Sequence, residues 1–72
     1  MKKTEHTLSV IIKGRTWGGF NSEYKYPLNP NQLDSFNQLS DFKKIAGDFE
    51  TITSATLYKS IIITDYEIKK FN

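Results

Sequence analysis

Residues 49–71 run for 23 positions without a glycine or a proline and are rich in Thr, Ile and Tyr. Branched and aromatic side chains suit a pleated, half-buried backbone, so this stretch reads as strand. Strands usually hold about 5 or 6 residues and rarely exceed about 10, so a run of this length has to fold back on itself. The expectation is a division near Lys59 and Ser60, with strands over residues 51–58 and 61–70. Lys-Ser is poor hairpin chemistry beside Asn-Gly, and one long bent strand with an early helical extension is the alternative.

The first part of the chain alternates. Over residues 6–15, Leu8, Val10 and Ile12 fall on one side of an extended backbone and Thr7, Ser9, Lys13 and Arg15 on the other, with Ile11 as the exception. Residues 16–22 contain Gly18, Gly19 and Asn21, which accept positive φ at low steric cost, so the chain turns there. A second strand follows over 23–28, with Tyr24, Tyr26 and Leu28 on one face and Glu23 and Lys25 on the other. Pro27 has no N–H to give a neighbour, which suits an edge strand.

Between the two strand regions, Asn29-Pro30 has the chemistry of a helix start and Ala46-Gly47 that of a helix stop, with Lys43 and Lys44 near the carbonyl end. These signals predict a helix over residues 30–46. Its apolar residues Leu33, Phe36, Leu39, Phe42 and Ile45 recur every third position, which sweeps round an α-helix by about 60° at each step. The helix therefore needs cover on more than one side, or it breaks near Ser40-Asp41. The resulting fold class is α+β in a single domain spanning residues 1–72: an antiparallel sheet of about four strands with one helix packed on one face, in the order β-β-α-β-β. One helix covers one sheet face. Ile11 and the run Ile61-Ile62-Ile63 cannot all lie beneath it, so a dimer mate or a target is expected to cover the remainder.

Catalysis finds little equipment here. The chain has no cysteine and one histidine, His6, beside no strained nucleophile turn. Asp65 with Glu67, and Asp48 with Glu50, are carboxylate pairs without the further ligands that a metal requires. Gly14 and Gly18-Gly19 precede a strand, whereas a phosphate loop opens a helix. No enzyme activity, cofactor or metal is therefore expected. Lack of cysteine at 72 residues fits a reducing cytoplasm. The start Met1-Lys2-Lys3 is followed by Thr4, Glu5 and His6 rather than by an apolar run, so neither an export signal nor a membrane partner is expected.

The most distinctive segment is residues 13–20, where Trp17 and Phe20 flank paired glycines beside Lys13 and Arg15. Rigid aromatic anchors next to charge are the composition of binding hot spots, although either ring could instead close the core at a hairpin end. Tyr66 alternates with charged neighbours in the last strand, whose edge could pair with another chain as a homodimer. The candidate partner-binding residues are thus Lys13, Arg15, Trp17, Phe20 and Tyr66. Residues 1–26 carry five basic and two acidic side chains, and residues 27–72 carry five and six. That basic first half, with its aromatics, makes nucleic acid the second candidate partner. In size, charge and lack of catalytic groups the chain resembles the small accessory proteins of phages and mobile elements, many of which inhibit or redirect a host protein. The resemblance implies a host or cognate protein as first partner.

Overall fold

The computed structural model describes residues 6–72, apart from the side chain of His6. Strand β1, His6–Thr16, fully buries Val10 and Ile12 on one face and exposes Lys13 and Arg15 on the other, although Ser9, expected to face outward, is buried as well. The chain returns as β2, Asn21–Leu28, and the Thr/Ile/Tyr-rich stretch supplies β3, Phe49–Ile61, and β4, Thr64–Phe71. Together they form one four-stranded sheet in the order β2-β1-β3-β4, with every neighbouring pair antiparallel. The four-stranded antiparallel sheet is as the sequence predicts.

The helix is not. Residues 30–46 form two short 3₁₀ segments, Pro30–Ser35 and Leu39–Lys44, so the α+β order β-β-α-β-β gives way to a mostly β architecture. The physical reason lies in the three-residue spacing that fits an α-helix badly. A 3₁₀ helix has 3.0 residues per turn, so Leu33 in the first piece and Leu39 and Phe42 in the second face the core, as do Phe36 and Ile45, the residues that end each piece. The chain breaks at residues 36–38 rather than at Ser40-Asp41, and Asp41 makes the break: its Oδ2 accepts from the Asn37 and Gln38 amides at 2.9 and 3.1 Å. At the first segment the Asn29 side chain does not cap. Instead the Asn29 amide donates to Gln32 Oε1 at 2.8 Å. Gly47 is likewise not the left-handed residue that its position suggested, since Gly19 is the glycine with positive φ.

This 29–48 connection crosses β1 on the core face. Phe36 and Phe42 stack at 4.5 Å between ring centres, and Phe42 meets Phe71 edge-on at 5.1 Å. Val10, Ile12, Leu28, Ala46, Phe49, Ala55 and Leu57 complete the buried cluster. Two register shifts in the β1–β3 pairing, at Lys13/Gly14 and Arg15/Thr16, allow Ile52 and Phe49 to turn inward with Ala55 and Leu57 despite their mixed parity. At the first shift the strands come so close that a Cβ on Gly14 would collide with the Thr51 carbonyl oxygen and lie 2.9 Å from the Ile52 Cα.

The β3–β4 turn also differs from expectation. Ile61 pairs with Thr64, so the turn falls on Ile62-Ile63, three residues beyond Lys59-Ser60. Lys59 and Ser60 continue the ladder opposite Tyr66 and Asp65, and the Ser60 hydroxyl donates to Asp65 Oδ1 at 2.7 Å. Pairing along the whole of β3 outweighs the absence of turn residues at the tip. Among the described residues no helix is long and apolar enough to cross a membrane.

Candidate functional site

The β1–β2 connection is a tight turn. The Thr16 amide donates to the Phe20 carbonyl and the Gly19 amide to the Thr16 carbonyl, both at 2.9 Å. Gly19 has φ 87°, the left-handed residue that this three-residue loop needs before its second strand. Trp17 is 67% exposed and Phe20 72% exposed, so neither ring closes the core.

Trp17 is nevertheless held in place. Its indole Nε1 donates to the Gly47 carbonyl at 3.0 Å and its amide to the Asp48 carbonyl at 3.3 Å, which ties the turn to the end of the crossing connection. Phe20 folds back over Gly18, whose added Cβ would sit 3.3 Å from the ring. Arg15 reaches along the same loop, since a Cβ on Gly19 would lie 3.7 Å from one of its terminal nitrogens. Fixed rings lose little rotamer freedom when a partner covers them.

The other candidate residues divide. Lys13 projects from the face opposite the core and pairs with Glu23 at 3.5 Å, with both side chains more than half exposed. Tyr66 lies elsewhere. Thr16 pairs with Phe49 whereas His6 pairs with Ile61, so the Trp17 turn and the Ile62-Ile63 tip are at opposite ends of the sheet, and Tyr66 sits near the latter opposite Lys59. Tyr66 is half exposed beside Ile61 and Ile68, in a shallow cleft with Lys59 and Glu67. The structure thus brings Arg15, Trp17 and Phe20 together and leaves Tyr66 apart.

At that second end lies the Ile61-Ile62-Ile63 run, which the sequence expects a dimer mate or a target to cover but does not place among the candidate partner-binding residues. Ile62 and Ile63 are 86% and 92% exposed, and Ile62 has φ 59°. An isoleucine in the left-handed region is a genuine outlier, and the signal available in the sequence was the uninterrupted Ile61-Ile62-Ile63 run. Tyr24 and Tyr26 do lie on the core side, where burial first and Asp48 second hold the Tyr26 phenol above its usual range. No group of three or more potential metal ligands occurs among the described residues. Residues 1–5, where no export signal is expected, lie outside the described residues. Comparison with known proteins finds no matching family, no similar curated protein and no similar solved structure.

Proposed function

We propose that this chain is a small non-catalytic binding protein that engages a host or cognate protein through the β1–β2 turn and thereby modulates it, in the manner of the accessory proteins that it resembles in size and charge. The observation that carries the reading is the exposure of Trp17 and Phe20 on a turn pinned by backbone bonds. Two large rings kept in water contribute nothing to the core, and rigid aromatics beside an arginine are what interface centres are made of.

Capture from a host lysate on the immobilised protein, compared with its Trp17→Ala and Phe20→Ala variants, tests this. The expected result is one stoichiometric partner bound by the parent and lost by both variants, with melting temperatures close to the parent's. A partner retained by both variants removes the turn from the interface. Arg15 beside the exposed rings also supports a nucleic-acid reading, which Lys13 weakens by its pairing with Glu23. Binding to oligonucleotides that falls steeply with salt would favour that second reading.

A further inference from the structure

The sheet has two outer strands, β2 and β4, and they differ. β4 is blunted: the register shifts between Leu57 and Tyr58 leave Ile68 as an extra, bulged residue, and Asp65, Glu67, Lys69 and Lys70 crowd the strand. Bulges and charge are how sheets discourage pairing at an edge. β2 has no register shift along its pairing with β1 from Arg15↔Asn21 to Leu8↔Leu28. The expected homodimer edge, the last strand with Tyr66, is therefore the less suitable of the two.

The hydrogen-bonding direction along β2 follows from the turn. Thr16 and Phe20 form a bonded pair, and alternation from there bonds Ser22, Tyr24, Tyr26 and Leu28 to β1. The backbone groups of Asn21, Glu23 and Lys25 consequently point away from the sheet. Pro27 falls in the same outward set, so its missing N–H costs β1 nothing and ends the usable edge on one side as the turn ends it on the other. Between these limits the residues read Glu23-Tyr24-Lys25, with opposite charges either side of an aromatic.

We propose that two copies of this chain associate through the β2 edge, antiparallel about Tyr24, to form one continuous sheet. In this register Glu23 of each copy lies opposite the other's Lys25, twice by symmetry, and both pairs are the backbone-bonded ones. Tyr24 lies opposite Tyr24 at the non-bonded position where side chains come closest. Shifting the register by one step either way sets Glu23 against Glu23 or Lys25 against Lys25. The present partners do not prevent it, because the Lys13–Glu23 and Lys25–Asp65 contacts, 3.5 and 3.9 Å, join exposed groups free to re-pair. Tyr24 is 45% exposed on this edge. A contact of a few residues is small beside the roughly 800 Å² per partner of a standard interface, so the dimer forms in the micromolar range or above. This surface is separate from the Trp17 turn and does not rest on the binding proposed there.

Sedimentation velocity from micromolar to millimolar protein tests it, with circular dichroism to confirm that each variant is folded. The parent is expected to dimerise with rising concentration. Glu23→Lys and Lys25→Glu each place like charges opposite one another twice and weaken association by about tenfold or more. An equimolar mixture of these two variants restores complementarity and dimerises more strongly than either alone. Because the chain has no cysteine, Tyr24→Cys is expected to form an intermolecular disulfide on mild oxidation much faster than Ser22→Cys at the same concentration. A parent that stays monomeric at millimolar concentration, a dimer indifferent to both charge reversals, or equal cross-linking of the two cysteine variants would each overturn the proposal.

Discussion

Replacing Ile62 by glycine removes a backbone conflict while sacrificing almost no packing. The turn places φ 59° on Ile62 and no positive φ on Ile63, a pattern whose preferred first residue is glycine. Holding a non-glycine residue in such a region costs about 1–3 kcal/mol. The Ile62 side chain is 86% exposed, so its loss removes little buried area. Against the gain stands the freedom that glycine adds to the unfolded chain, about 0.5–1 kcal/mol. The net expectation for Ile62→Gly is stabilisation by about 1 kcal/mol, which raises the melting temperature of a domain of this size by about 4–8 °C. Ile63→Gly is the control: it gains no relief at a negative φ, and the entropy of the unfolded chain lowers stability by about 0.5–1 kcal/mol. Urea unfolding and thermal melts of the three proteins, followed by circular dichroism, give both numbers. If Ile62→Gly melts at or below the parent temperature, or if the two variants shift in the same direction, the strain argument fails.

Two further expectations concern the scaffold. Gly14→Ala drives a methyl group into the Thr51 carbonyl at the closest approach of β1 and β3. Backbone on both sides cannot yield cheaply, so the variant should lose about 3 kcal/mol or more, a large share of the roughly 4–11 kcal/mol that a domain of this length possesses; a urea midpoint near the parent's would refute the close packing. Asp41 is held below the usual carboxylate range, chiefly by the Asn37 amide and also by the Gln38 amide and Lys44. A depressed folded-state pKa contributes stability that is present above the unfolded value of 3.8 and is lost as pH falls through the folded one. Asp41→Asn should therefore flatten that part of the melting profile below pH 3.8, and an acid limb identical to the parent's would show that the carboxylate does not secure the second 3₁₀ segment.

Much of the strand architecture is legible in the side chains themselves. Leu8, Val10 and Ile12 against Lys13 and Arg15 fix which face of β1 goes inward, because a strand's alternation leaves no second way to bury them. The length of residues 49–71 without a breaker favoured a folded-back pair over one long bent strand, and β3 and β4 form that pair. The exposed anchors were visible as a combination, with glycines beside Trp17 and Phe20, but their role was open between core and surface. The tertiary structure resolved it, since both rings lie exposed at the turn, beyond the buried cluster.

Elsewhere local chemistry and tertiary pairing disagreed, and pairing prevailed. Asn29-Pro30 and Ala46-Gly47 are sound helix punctuation, yet the core-seeking residues at a spacing of three reach the core from two short 3₁₀ pieces separated by a break, not from one α-helix. Lys59 and Ser60 had the better claim to a turn than two isoleucines, but β1 reaches as far as Ile61, and each extra ladder pair outweighs one poor turn residue. The sequence by itself determined the strands and their inward faces, since these depend on side-chain type and on a period of two. Only the tertiary structure decided the 3₁₀ crossing, the position of the second turn and the difference between the two sheet edges. Each of those depends on which distant strand lies alongside, and the free energy of such long-range contacts is not written in any local run of residues.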